Sequence, residues 1–230
     1  MLIVIDKRIP KEAKTKLSQF GELIEFETNT ITYAALSGHP DIFLCQTPHT
    51  LICAPNLPEY YFSLFKKNNI PYILGENPIG VKFPDTSFYN CVLTEHFLFH
   101  KKGLSDLCIL EQNKQLEFIN VSQAYTRCSL LALPSQNFIT SDKGIEKALK
   151  NRNLNVHYFS PDKILLPGML HGFIGGAMGF YSGKLFVLGN PDFHPWGKAF
   201  KTLIAKQNIE LITLYEGPFF DGGGIFFLEN

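Results

Sequence analysis

The sequence predicts an α/β fold of five β-β-α-β units around a pseudo-fivefold axis, closed by the C-terminal strand into one domain spanning residues 1–230. Three observations carry that expectation. The same order of elements recurs along the chain at a spacing of roughly 20–50 residues, the mark of a repeat architecture. The N-terminal unit lacks its first strand while an unassigned apolar strand stands at the C-terminus, so one unit is split between the two ends. No linker divides the chain, and 45% hydrophobic residues suffice for a substantial core.

In chain order, the split unit begins with a strand at Ile3–Ile5, a helix at Pro10–Gln19 and a strand at Glu22–Phe26, and Gly224–Leu228 supplies its missing strand. The second unit reads as strands Asp41–Cys45 and Thr50–Ala54, helix Pro58–Asn68 and strand Pro71–Leu74, with Pro58 where a first helical turn tolerates it. A weaker copy runs from Asn90 to Val121, with strands at Cys91–Thr94 and Phe97–His100, a short helix after Leu104, and a strand at Leu116–Val121. The clearest copy has strands Cys128–Leu133 and Asn137–Thr140, a cap at Ser141–Asp142, a lysine-rich helix Gly144–Asn151 and a strand Asn155–Phe159. The last unit has strands Ala177–Tyr181 and Lys184–Leu188, helix Pro195–Gln207 and strand Ile209–Tyr215. In its helix Trp196, Phe200, Leu203 and Ile204 fall at helical spacing opposite Lys198, Lys201 and Lys206. Joining the last strand to the first unit would close a ring without free sheet edges. An open α/β sandwich of mixed sheets is the alternative.

Composition narrows the function classes. With 21 basic and 21 acidic residues the chain has no long-range field to draw in nucleic acid or an anionic membrane. The 21 Phe residues fall mostly in alternating apolar stretches, which assigns them to packing before base stacking. Met1–Asp6 is too short and too soon interrupted by charge for a signal peptide or membrane helix. The cysteines, 45, 53, 91, 108 and 128, are odd in number and have no CxxC spacing, as expected of free thiols in the cytoplasm.

The five units, together with Gly172-Phe173-Ile174-Gly175-Gly176 and a C-terminal Gly222-Gly223-Gly224-Ile225-Phe226-Phe227, resemble the pentein, or α/β-propeller, superfamily. That superfamily includes arginine and agmatine deiminases, dimethylargininase and amidinotransferases, and a ribosome anti-association factor that is not an enzyme. Segments 123–128, 139–144, 172–177 and Gly217-Pro218 are similar to a bacterial branch of it without an assigned activity. In the enzymes the C-terminal glycine-rich segment leads into a nucleophilic cysteine, a place that Phe227 takes here. Their catalytic histidine and the acid after it correspond to Phe173 and Gly175. A phenyl ring supplies neither a nucleophile nor a proton relay, so the resemblance implies the fold without the thiol chemistry, a pseudoenzyme.

Polar residues at the inner strand ends are the natural ligand contacts in such a ring. His39 and Asp41 open the second unit, though Pro-Asp is also ordinary turn chemistry. Tyr125, Arg127 and Cys128 lead into the fourth, and an arginine beside a thiol can activate it, against the burial usual for free cysteines. His171 precedes the glycine-rich strand and is a candidate base or a structural histidine. Asp221 precedes Gly222 and Gly223, where it can cap amides or meet a ligand. No phosphate-binding glycine loop occurs. His194, and the pair His96 and His100, read as loop and strand residues without a third ligand, so no metal site and no cofactor are expected.

The expectation is a protein that binds a small polar ligand, amino-acid or guanidino-like, or a protein partner or second copy of itself. The alternative is a hydrolase or transferase with a rearranged site, using Cys128 or His171 with Asp41 or Asp221.

Overall fold

The computed structural model describes residues 1–229 and contains five three-stranded sheets. The N-terminal unit has β1 (Leu2–Asp6), α1 (Lys11–Leu17) and β2 (Glu22–Phe26). A helical turn α2 (Pro40–Phe43) leads into β3 (Leu44–Gln46), β4 (Leu51–Cys53), α3 (Glu59–Lys67) and β5 (Tyr72–Leu74). The third unit has β6 (Val92–Leu93), β7 (Phe97–His100), α4 (Leu107–Gln112) and β8 (Glu117–Asn120). A second turn α5 (Thr126–Ser129) precedes β9 (Leu130–Leu133), β10 (Asn137–Thr140), α6 (Lys143–Lys150) and β11 (Asn155–Tyr158). The last unit has β12 (Met178–Tyr181), β13 (Lys184–Val187), α7 (Gly197–Lys206) and β14 (Glu210–Thr213), before β15 (Phe226–Leu228).

Every sheet has the same plan. Its middle strand pairs antiparallel with an inner strand and parallel with an outer one: β3-β4-β5, β6-β7-β8, β9-β10-β11, β12-β13-β14 and β15-β1-β2. The sheet divided between the chain ends registers Val4 on Phe226 and Leu2 on Leu228. Each parallel pair is joined by a helix because a two-residue hairpin cannot connect parallel strands.

The core is correspondingly annular. One apolar cluster joins the first three sheets, through Val4, Phe26, Phe43, Ile52 and Leu98. A second, with Phe99 and Phe138, joins the third sheet to the fourth. A third, with Leu131, Met178 and Phe200, joins the fourth to the fifth. Ile3, Ile5, Phe186, Leu188 and Phe227 then tie the fifth back to the first. The helices turn one apolar stripe inward: Ile145 and Leu149 of α6 are buried, and Asp142 caps its start with a 2.8 Å bond to the Ile145 amide. Phe200 and Ile204 of α7 are likewise buried, whereas Trp196 is 43% exposed.

The inner strands start later than the sequence predicts. Asp41–Phe43 and Thr126–Ser129 form helical turns, residues 175–177 a 3₁₀ turn, and β15 starts at Phe226. Pro40 at the first helical position explains the first of these, since its fixed φ suits a helix start and it has no amide to give a strand. These turns point Asp41 and Cys128 across the ring instead of along a sheet.

His100, at the end of β7, is fully buried between the Ser105 hydroxyl at 2.8 Å and the Ala124 carbonyl at 2.9 Å. Burial holds its pKa down at about 4. Below about pH 6.5 the unfolded chain therefore takes up a proton that the folded chain refuses, and stability falls as the pH drops toward 4. Relative to His100→Gln, the wild type is expected to lose about 2 kcal/mol between pH 7.5 and 5. Paired urea titrations at the two pH values check this, and a pH-independent difference would refute it.

Candidate active site on the ring axis

The segments just ahead of the five inner strands meet on the axis. Asp41, Asn90, Cys128, Gly176 and Gly224 stand two or three residues before β3, β6, β9, β12 and β15. Asn90 ties two of them together: its Oδ1 accepts from the Cys128 amide at 3.2 Å, while its Nδ2 lies 3.3 Å from the Asp41 carbonyl and 3.5 Å from Cys128 Sγ. The Cys128 thiol donates to Asp41 Oδ2 at 2.9 Å. Asp221 accepts the Phe173 amide at 2.8 Å and the Gly223 amide at 3.1 Å, which fixes the two glycine-rich segments to each other.

The glycines mark close approach. A Cβ on Gly176 would lie 1.9 Å from Asp221 Oδ1. One on Gly223, at φ +68°, would lie 2.7 Å from His39 Cβ and 2.8 Å from Asp41 Oδ1. Gly222 instead donates its amide to the Gly176 carbonyl at 3.0 Å and packs against Asp6.

His39 sits at the centre, fully buried. Its Nδ1 is 3.9 Å from Asp41 Oδ1, and its Nε2 is 4.0 Å from both Asp6 Oδ2 and Asp221 Oδ1. Neither ring nitrogen has a hydrogen-bond partner, and neither does Asp41 Oδ1. Burial lowers the His39 pKa despite the surrounding carboxylates, which favours the neutral ring. Burial also raises Asp41 to about 6, against the pull of Arg127, and raises Asp221. The Cys128 thiol is pushed well up, first by burial and then by Asp41 and Asp221. Asp6 alone is neutralised directly, by Arg8, whose Nη2 lies 2.6 Å from Oδ2.

Two cavities flank this cluster. One, of about 60 Å³, is lined by His39, Cys128, Asp221, Tyr33, Tyr125 and Phe173 among others. The other, of about 300 Å³, is the channel between the inner strands, lined by Leu44, Val92, Leu131, Gly179 and Phe226. Arg127 lines this channel, donating to the Gly175 carbonyl at 2.7 Å over the Phe226 ring.

Of the residues singled out in the sequence, His39, Asp41, Cys128, Asp221 and Gly223 come together, with Tyr125 in the cavity wall and Arg127 beside them. His171 stands apart, its Nδ1 against the Gly172 carbonyl and its ring edge-on to Phe173. Phe173 lines the small cavity, whereas Phe227 packs on Tyr181 and Phe186 away from the axis. His194 is in the core, stacked on Phe159. Sequence reading missed Asp6, Arg8 and Asn90. Aligning the units on their inner strands would have found Asn90, which holds the place of Asp41 and Cys128.

Comparisons with solved structures place the fold. A DDAH from Pseudomonas aeruginosa, solved with citrulline, superposes with a TM-score of 0.56 at 7% identity, over 92% of this chain and 90% of that one. The amidinotransferase SxtG of Microseira wollei, from the saxitoxin biosynthetic pathway, gives 0.54 at 10% identity, over 92% and 87%. A C. jejuni agmatine deiminase gives 0.54 at 11% identity, over 92% and 74%. A search of curated proteins finds no match. Among the described residues no helix is long and apolar enough to cross a membrane. A family model matches residues 4–226, and the chain accordingly belongs to the family of unknown function DUF6873, on the α/β-propeller fold of the pentein superfamily.

Proposed function

We propose that the protein binds a small cation in the axial cluster and does not carry out the thiol chemistry of the guanidine-modifying enzymes. One observation carries this reading: His39 Nδ1 and Nε2 and the neighbouring Asp41 Oδ1 are buried without partners, and His39 lines a small cavity together with Asp221. A buried polar group left unpaired costs about 1–3 kcal/mol, and three within one cluster are an expense that a bound ligand offsets. The carboxylates Asp41 and Asp221 set the sign of that ligand. The names of the structural neighbours, an amidinotransferase and an agmatine deiminase, supply guanidino and amino compounds as organic probes of that cation site. A cavity of about 60 Å³ admits a head group but not a whole drug-sized molecule.

The rearranged hydrolase or transferase has one contact in its favour, the 2.9 Å bond from Cys128 to Asp41. Against it, the thiolate is the nucleophile, and burial with two carboxylates keeps this thiol protonated.

Agmatine at about a hundred times its Kd should stabilise the protein by about 2.7 kcal/mol, a rise in Tm of roughly 5–10 °C. The shift should disappear in the Asp41→Asn, Asp221→Asn double variant. No shift with agmatine, arginine, methylammonium or a divalent metal ion would sink the cation reading. Release of ammonia or urea from agmatine by the wild type, absent in Cys128→Ala, would instead establish the enzyme.

A further inference from the structure

Resting on the reading of the axial cluster as a cation site, we infer that its cation is a divalent transition-metal ion of the zinc class. The ligands are one ring nitrogen of His39, the Asp41 carboxylate and Cys128 Sγ, with a fourth position open to the small cavity. The three residues come from two units of the ring and are all fully or almost fully buried. Their candidate ligand atoms lie within 4.8 Å of one another, with 3.9 Å between His39 Nδ1 and Asp41 Oδ1 and 2.9 Å between Cys128 Sγ and Asp41 Oδ2. A tetrahedral zinc ion with ordinary bond lengths spaces its ligands about 3.3–3.8 Å apart, and these two distances, one to each oxygen of Asp41, fall on either side of that range.

The surroundings are those of a metal ligand set rather than of a stray cluster. A ligating histidine almost always gives its second ring N–H to a carboxylate, a backbone carbonyl or a water. With Nδ1 on the metal, His39 Nε2 faces Asp6 and Asp221, each at 4.0 Å. Asn90 holds the amide of Cys128 and brings its Nδ2 to 3.5 Å from the sulfur, a donor for a thiolate. Mixed nitrogen, oxygen and sulfur donors favour zinc or cobalt over magnesium or calcium, which take oxygen.

Charge balances as well. The ion displaces the proton of Cys128: the S–H bond breaks, an S–metal bond forms and the proton leaves to solvent. Thiolate and carboxylate then neutralise the two positive charges, leaving a neutral complex in a buried site. Three protein ligands with one open position is the pattern of a zinc site that takes a water or substrate, not of a closed structural site.

The test uses the full chain, stripped with a chelator and titrated with cobalt(II), then with zinc as competitor. One equivalent of cobalt is expected, with a thiolate-to-metal charge-transfer band in the near ultraviolet that zinc abolishes. Cys128→Ser should remove the band, and His39→Gln should weaken binding at least tenfold. Asp221→Asn, a positioning change, should weaken it about tenfold while keeping the band. Should Cys128→Ser fail to fold, His39→Gln decides alone, since unchanged affinity in it overturns the assignment. A band that persists in folded Cys128→Ser, or no stoichiometric binding to the wild type, also overturns it. Stabilisation by agmatine without metal binding would leave the cation reading standing and remove the metal. Failure of both would remove both.

Discussion

Replacing Arg8 by Met is expected to cost about 3–5 kcal/mol of folding stability, read as a fall in the urea midpoint at constant slope. Asp6 is fully buried at the end of β1, and Arg8 holds it by a backbone bond of 2.7 Å and guanidinium bonds of 2.6, 2.9 and 3.1 Å. The same guanidinium donates to the carbonyls of Ala34 and Ala35, at 2.7 and 2.9 Å, pinning the segment that leads to His39. Methionine keeps the aliphatic reach but leaves a buried carboxylate facing His39 and Asp221 with no neutralising partner. Removing one member of a buried pair is costly for that reason, whereas removing both can be nearly neutral. Adding Asp6→Asn to Arg8→Met should therefore recover much of the loss, a coupling that a double-mutant cycle measures. A single-variant cost under about 1 kcal/mol would show that Asp6 does not carry a buried charge.

Phe227→Ala should cost a comparable amount, about 3–5 kcal/mol, because the ring is almost completely buried in the cluster that joins the last sheet to the first. It stacks on Tyr181 at 5.1 Å and packs on Phe186 at 4.8 Å, in the strand that completes the ring. Because this strand pairs with β1, the loss should appear as one cooperative transition and not as fraying of the C-terminus. Phe227→Cys, which puts a cysteine where the resemblance to the guanidine-modifying enzymes places one, should yield a thiol protected from a water-soluble alkylating reagent in the folded state, with no gain of agmatine turnover. Rapid labelling of that thiol under native conditions would show that the position opens toward solvent and could present a nucleophile there.

The repeat itself was legible from local chemistry. Apolar runs bounded by turn residues, the Asp142 cap and the lysine-faced helix α6 report on neighbours a few residues away, and those neighbours are the same in the chain and in the fold. The starts of the inner strands were not legible. Ile42, Phe43 and Cys128 are as apolar as a strand; Pro40 was the local sign of the first helical turn, whereas nothing local marked the turn at Thr126–Ser129. The site divides along the same line. His39, Asp41, Cys128 and Asp221 stood out because each is a reactive side chain beside a strand start or a glycine run.

The sequence by itself thus determined the five units, the splitting of one of them between the chain ends, and the presence of phenylalanine at 173 and 227. What the tertiary structure decided was which polar residues share the axis. Asp6 and Asn90 join the cluster and His171 does not, because convergence on an axis depends on how five sheets are rotated about it. That rotation is set by apolar packing between units, which no local pattern of residues encodes.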